Sequence, residues 1–305
     1  MSRRILIIKL GALGDVIRTT PVLRRLEGNI TWVTSRPALP LLSGNPLIRR
    51  LLAVEDGGFR VDGRYDLVIN LEDDLASAQM ASSAAGGDVI GPYIRDGKIT
   101  YDQSRGEWYD MSLSSRYGKE TADQLKLANR KTYQEMIFAA LGMKFAGEEP
   151  SLNLPLRNRT APFLVGIEER AGAVWPAKRW TRYRALADRL RQYNYQVKVF
   201  RQRQTIVEYA DDINECGSVI CGDTLAMHLA TALRKSVVCL FTCTSPWEIF
   251  GYGRMVKVIS PLLERYFYSR EDTEAPGDAI SLEAVERAFF GVREPKANYV
   301  VAEAP

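Results

Sequence analysis

The chain has 305 residues, of which 46% are hydrophobic and 26% charged, and a formal net charge of +4; at roughly 150 residues per domain it is long enough for two domains with buried cores. The mild positive charge favours anionic partners such as phosphorylated sugars, nucleotides or an anionic membrane face, and it is too small to argue for nucleic acid, for which no aromatic-plus-basic or zinc-finger pattern is present either. The apolar run behind Arg3 and Arg4 stops at Lys9, too early for a signal peptide, and no stretch approaches the ~20 apolar residues of a membrane helix, so the expectation is a cytoplasmic protein with at most peripheral contact with the inner membrane.

The first predicted element is a strand over residues 4–9, whose run Ile5-Leu6-Ile7-Ile8 suits burial on both faces of a parallel sheet. A glycine turn follows at 10–14, and residues 15–25 carry apolar side chains at helical intervals, completing a β-α unit. Further strands are predicted at 30–33, 51–54, 66–70 and 88–91, so residues 1–150 read as a Rossmann-like domain. Residues 96–130 are polar and charged, with Trp108, Tyr109, Met111, Leu113 and Tyr117 scattered among them at no clean period. They read as an excursion and not as core, either a binding loop or lid or a surface decoration. A helix over 132–141 leads to 148–155, whose prolines suit a linker.

The alternation then restarts. Strands at 163–167, 196–200, 218–221 and 236–241 alternate with helices at 181–193, 206–215 and 223–233; a further strand lies near Val258, and a helix over 281–290 comes last. Residues 151–295 thus form a second domain, and the tail 296–305 has little apolar content to order it. The fold class is α/β, and two such domains joined by a short linker are expected to face each other across a cleft.

Three segments could carry chemistry. In Lys9-Leu10-Gly11-Ala12-Leu13-Gly14-Asp15 the glycines allow close backbone approach, and the N–H groups at the helix start favour an anion or polar sugar atoms. The dinucleotide fingerprint G-x-G-x-x-G and the P-loop are both absent, which leaves Asp15 at the lip of a turn, either as a functional carboxylate or as a helix cap. In Gly222-Asp223-Thr224-Leu225-Ala226-Met227-His228 a buried strand gives way to a helix whose first N–H groups could bind a pyrophosphate. His228, four residues after Thr224 and on the same face, is the only histidine of the chain, which excludes a metal site built from several imidazoles; it reads as a core residue or as part of an anion site. In Val174-Trp175-Pro176-Ala177-Lys178-Arg179-Trp180 a lysine and an arginine between tryptophans suit phosphate pairing beside a ring, or form a surface patch with aromatics tucked beneath it. Asp73 and Asp74 end another strand, where capping is favoured over a divalent metal. The four cysteines, Cys216, Cys221, Cys239 and Cys243, match no zinc spacing and read as reduced structural thiols.

Residues 5–23 (ILIIKLGALGDVIRTTPVL), Lys178-Arg179-Trp180 and residues 222–252 (GDTLAMHLATALRKSVVCLFTCTSPWEIFGY) together resemble the ADP-heptose:lipopolysaccharide heptosyltransferases of glycosyltransferase family nine. The resemblance implies a GT-B fold, with the acceptor, a glycan or lipid-linked sugar, on the N-terminal domain and the nucleotide sugar held mainly by the C-terminal one. It implies inverting transfer from an ADP-sugar donor with no cofactor and no metal ion. It makes Asp15 the general base, has Lys178 hold the donor phosphates, lines the donor site with Asp223, Thr224, Leu225 and His228, and leaves Gly11, Gly14 and Arg18 to contact sugar or acceptor. Three features depart from the family pattern. One helix stands between the strands ending at Phe200 and beginning at Ser218 where relatives have more, Leu225 replaces a common glycine, and residues 262–266 lack the cysteine cluster that some relatives carry. A family member that binds a nucleotide or glycan without turnover is the competing reading; a dehydrogenase is disfavoured by the missing glycine fingerprint.

Overall fold

Parallel strands need crossover connections, and the regular alternation of strand and helix along this chain supplies them. In the computed structural model, which describes residues 2–57, 61–112, 114–157, 160–292 and 299–301, the chain divides into two compact units, Met1–Leu154 and Pro155–Pro305.

In the N-terminal unit the elements run β1 (Arg4–Ile8), α1 (Leu13–Thr19), β2 (Asn29–Thr34), α2 (Leu39–Leu42), β3 (Arg50–Ala53), α3 (Val54–Gly57), β4 (Tyr65–Asn70), α4 (Leu75–Ala84) and β5 (Ala85–Ile90). The sheet order is β3-β2-β1-β4-β5, parallel throughout. The central β1 has Ile5, Leu6, Ile7 and Ile8 all buried, as the uninterrupted apolar run requires of a strand covered on both faces. Helix α1 stops six residues short of its expected end because Pro21 has no N–H to give to the Ile17 carbonyl. That carbonyl instead accepts from the N–H and the hydroxyl of Thr20, and the chain continues as a 3₁₀ turn over Thr20–Arg24.

The expected excursion at 96–130 contributes to the core in part, mainly between Tyr101 and Met111. A hairpin of β6 (Tyr93–Arg95) and β7 (Lys98–Thr100) turns through Asp96 and Gly97, both at positive φ (51° and 74°), the geometry that an Asp-Gly pair favours. Helices α5 (Gly106–Ser112), α6 (Ser114–Ala128, broken at Gly118, φ 80°) and α7 (Tyr133–Ala140) follow. Trp108, Tyr109 and Met111 are buried, and Trp108 meets the Tyr133 ring edge-on with centroids 4.7 Å apart. Tyr117 stays exposed, and Leu113 lies outside the described residues. The expected linker at 148–155 packs against the N-terminal unit as far as Asn153. Ser151 N–H donates to Thr20 Oγ1 at 2.9 Å, and Asn45 donates to the Ser151 carbonyl at 2.8 Å.

The C-terminal unit runs β8 (Ala161–Glu168), α8 (Tyr183–Gln192), β9 (Gln196–Val199), α9 (Ile206–Glu215), β10 (Cys216–Gly222), α10 (Leu225–Ala232), β11 (Ser236–Phe241), β12 (Met255–Ile259), α11 (Ala275–Asp278), α12 (Leu282–Gly291) and β13 (Tyr299–Val301). Its order is β13-β12-β11-β10-β8-β9, again parallel. Val165, Ile167, Ile220, Val238 and Leu240 from the strands meet Leu186, Leu190, Val285 and Phe289 from α8 and α12 in one core. The tail expected to lack order contributes β13, which adds to the sheet edge by pairing with β12. Between β9 and β10 the chain has the single helix α9.

Candidate functional site

In parallel α/β sheets, ligands bind beyond the carboxyl ends of the strands, where the turns into the helices lie. The candidate residues occupy three such turns, after β1 in the N-terminal unit and after β8 and β10 in the C-terminal one.

In the N-terminal unit the turn after β1 is held by a carboxylate from the turn after the neighbouring β4. Glu72 Oε1 accepts from Leu10 N–H at 2.6 Å and more distantly from Gly11 N–H at 3.4 Å, and pairs with the buried Lys9 ammonium at 3.0 Å. The Glu72 N–H donates in turn to Asn70 Oδ1 at 3.1 Å. Sequence reasoning noticed Asp73 and Asp74 but not Glu72; an acid paired to a lysine 63 positions away leaves no local pattern. Gly11 has open space on the side where a Cβ would lie, and Gly14 is buried in the first turn of α1. Asp15 does not cap this helix. The N-cap is Ala12, with no side-chain bond, so the capping reading fails. Asp15 stands in the first turn with its carboxylate 2.9 Å from Arg18 Nη2 and about one-third exposed. Arg18 lies over the Tyr133 ring, 4.1 Å from its centroid, with Trp108 beyond at 5.9 Å. The Tyr133 hydroxyl, shifted well above its ordinary value chiefly by burial, is 2.7 Å from Thr19 Oγ1. The supposed excursion therefore supplies, through Trp108, the outer part of the aromatic wall beside the cation that faces Asp15.

In the C-terminal unit the turn after β10 is organised around Asp223. Lys178 Nζ donates to its carboxylate at 2.8 Å and to its carbonyl at 2.6 Å, and the Thr244 hydroxyl donates to the same carboxylate at 2.7 Å. Burial alone would raise the Asp223 carboxyl, but Lys178, His228 and Thr244 outweigh it and hold the group well below the ordinary carboxylate range. Thr224 is the N-cap of α10 yet makes no capping bond, and its Oγ1 is buried with no hydrogen-bond partner. Leu225 opens the helix and, like His228 one turn on, is partly exposed. A helix start whose N–H groups receive no side-chain cap, beside a lysine, has a local field that favours an anion. Ser245 Oγ, in the loop after β11, is likewise buried without a partner. That loop is clamped by Lys257, whose ammonium donates to the carbonyls of Pro246 and Ile249, both at 2.6 Å, and whose pKa burial brings down to about 8.

The Lys-Arg-Trp cluster splits. Lys178 closes a 3₁₀ turn (Pro176–Lys178) and faces Asp223, whereas Arg179 pairs with Asp272 and Glu274 and Trp180 is core, its indole N–H on the Ile280 carbonyl at 3.0 Å. Gly277 lets α11 close on this segment, since a Cβ there would lie 1.9 Å from the Arg179 carbonyl oxygen. Asp74 caps α4 by accepting from Ser77 N–H at 2.9 Å, and among the described residues no three His, Cys, Asp or Glu side chains converge as metal ligands would. The four cysteines are buried free thiols.

Residues 201–274, which include Asp223, Thr224, Leu225, His228 and Thr244, match glycosyltransferase family 9 (heptosyltransferase). The chain is similar to glycosyltransferase family 9. Asp15 and Lys178 lie outside the matched segment. Among solved structures, the family 9 glycosyl transferase from Veillonella parvula is 18% identical, with a TM-score of 0.65 over 95% of this chain and 97% of that one. The E. coli heptosyltransferase WaaC, solved with ADP-2-deoxy-2-fluoro heptose, is 15% identical, with a TM-score of 0.56 over 94% and 99%. The iron-containing dodecameric glycosyltransferase TibC from enterotoxigenic E. coli is 12% identical, with a TM-score of 0.60 over 96% and 78%. These likenesses show a shared fold, the two-domain α/β architecture of GT-B proteins. No curated protein sequence matches the chain.

Proposed function

We propose that this family 9-like chain is an inverting glycosyltransferase that moves a heptose or related sugar from an ADP-sugar to a hydroxyl of a cell-surface glycan, such as the lipopolysaccharide inner core. It works without a metal ion or cofactor, in the cytoplasm, with at most peripheral contact with the inner face of the membrane. The observation that carries this reading is the uncapped start of α10, inside the segment that matches the family, with Thr224 Oγ1 orphaned and Lys178 bonded to the neighbouring Asp223. As the bond from the anomeric carbon to the diphosphate breaks, negative charge grows on the leaving ADP. The N–H groups of Leu225 and Ala226, the Lys178 ammonium and His228 stabilise it without a bound cation. Asp223 orients Lys178, and Thr224 closes the floor of the site. On the acceptor side, Asp15 takes the proton of the attacking hydroxyl, Arg18 holds the Asp15 carboxylate in place, and Gly11 and Gly14 let the sugar approach the backbone.

The test is a transfer assay with ADP-heptose and an inner-core acceptor, run with and without EDTA. EDTA-insensitive transfer with inversion is expected, and full activity of an Asp15→Ala protein would sink the assignment. A second reading, a family member that binds without turnover, draws on the single helix α9 and on Leu225 at the helix start. It predicts that ADP-sugars raise the melting temperature while no sugar transfer or hydrolysis is detected.

A further inference from the structure

At the end of the N-terminal sheet opposite the Asp15 turn, a pocket of about 380 Å³ is lined by Arg4, Asn29, Thr31, Arg49, Arg50 and Tyr65. Four of these are the first residues of adjacent strands: Arg4 of β1, Asn29 of β2, Arg50 of β3 and Tyr65 of β4. The register places Arg4 beside Asn29 and Thr31 beside Arg50. At about 3.3 Å per residue, Arg4 begins β1 roughly 13 Å before Ile8, so this pocket and the Asp15 turn lie at opposite ends of the same strand.

The pocket has a built floor. Thr31 and Tyr65 are buried, and the Tyr65 hydroxyl donates to Thr31 Oγ1 at 3.3 Å. The Arg4 guanidinium is fixed over the Tyr65 ring, 4.8 Å from its centroid, and donates to the Asp62 carbonyl at 3.3 Å. Its positive charge is poorly balanced. The carboxylates that meet the cluster are Asp62, 91% exposed and 3.4 Å from Arg50, and Asp66, which accepts the Arg4 backbone N–H at 2.8 Å. Arg49 has no ion pair among the described residues. Pairs as exposed as Arg50–Asp62 contribute little to stability, so three arginines line one pocket with little compensating negative charge. A guanidinium fork matches two oxygens of a phosphate, and three forks around one pocket suit a ligand with several anionic oxygens better than a lone carboxylate.

We propose that this pocket binds a phosphate-bearing ligand at a site separate from the Asp15 turn and from the Lys178–Asp223 turn. The inference stands whether or not the chain transfers sugars. Arg49 and Arg50 grip the phosphate from the rim, while Arg4 and the hydroxyls of the floor receive the group attached to it.

Calorimetric titration of inorganic pyrophosphate into the full chain, its Lys178→Ala variant and an Arg49→Gln/Arg50→Gln variant tests this. The expected result is salt-sensitive binding that persists in Lys178→Ala and weakens at least tenfold in the double variant. Flotation with vesicles of phosphatidic acid in phosphatidylcholine, against phosphatidylcholine alone, separates a lipid headgroup from a soluble phosphate ester. Arginine-dependent flotation assigns the headgroup, and pyrophosphate binding without flotation assigns a soluble ligand. Should the double variant fail to fold, Arg49→Gln alone, whose side chain carries no ion pair among the described residues, should still weaken binding about threefold. Binding that survives the arginine substitutions, binding lost only in Lys178→Ala, or no binding to either probe would overturn the proposal.

Discussion

The turns after β1 and after β10 are built from the same parts, a central parallel strand, a short turn and a helix without a side-chain cap, yet they use their carboxylates in opposite ways. In the N-terminal turn Glu72 occupies the backbone N–H groups of Leu10 and Gly11, so the protein supplies its own anion and Asp15 is left facing Arg18. In the C-terminal turn the carboxylate, Asp223, turns instead to Lys178 and Thr244 and takes no backbone N–H of the turn. The first turn already holds an anion of its own on its backbone and suits a base; the second keeps a lysine beside a helix start and suits a leaving diphosphate. The lesson is that a βα turn acquires its role from what satisfies its N–H groups, more than from its glycines.

The comparison breaks most sharply at Asp15. Replacing it with alanine should lower kcat by about 10²- to 10⁴-fold, the usual worth of a general base, with little change in melting temperature because its ion pair is partly exposed. Equal loss of activity and stability would mean that the carboxylate is structural. Glu72→Ala strips the acceptor from Leu10 N–H and leaves Lys9 buried without its partner. A stability loss of about 2–4 kcal/mol and a fall in kcat larger than any change in donor KM are expected in denaturant melts and steady-state kinetics.

Acid titration sharpens the other half. The folded Asp223 carboxyl sits below its unfolded value, so its contribution to stability is complete above the ordinary carboxylate pKa of about 3.9 and is lost as pH falls through the folded value. Lys178→Met removes the leading cause of that depression, so the acid unfolding midpoint of the variant should move to higher pH; an unmoved midpoint would argue against the pair. The smallest effect serves as a control. Asp74 is a true cap, and Asp74→Ala should cost about 1 kcal/mol with activity intact.

Where local signals agree with tertiary packing, the chain was readable without its structure. Helix α9 and strand β11 fall on the residues that periodicity assigned to them, and each is bounded by neighbours that favour the same answer. Within 96–130 the aromatics of α5 were misread because they answer to a distant partner. Trp108 packs against Tyr133, 25 positions on, and the helical period is interrupted at Gly118. The short strand β13 was missed because three residues carry too little pattern to outweigh a polar tail. At the site, Asp15 and the Gly222–Thr224 turn stood out through their place after apolar strands, whereas the partners that define them, Glu72 and Thr244, are joined only by the fold.

All four cysteines lie in the C-terminal unit, each is buried, and burial pushes the Cys216 thiol up to about 12. A thiol in that state is inert toward alkylating reagents until the surrounding structure opens. The rate at which iodoacetamide modifies the native protein is therefore a built-in clock for the opening of one unit alone, read without any introduced label. An ADP-sugar that settles on α10 should slow that clock, and a ligand in the arginine pocket should leave it running at the same pace.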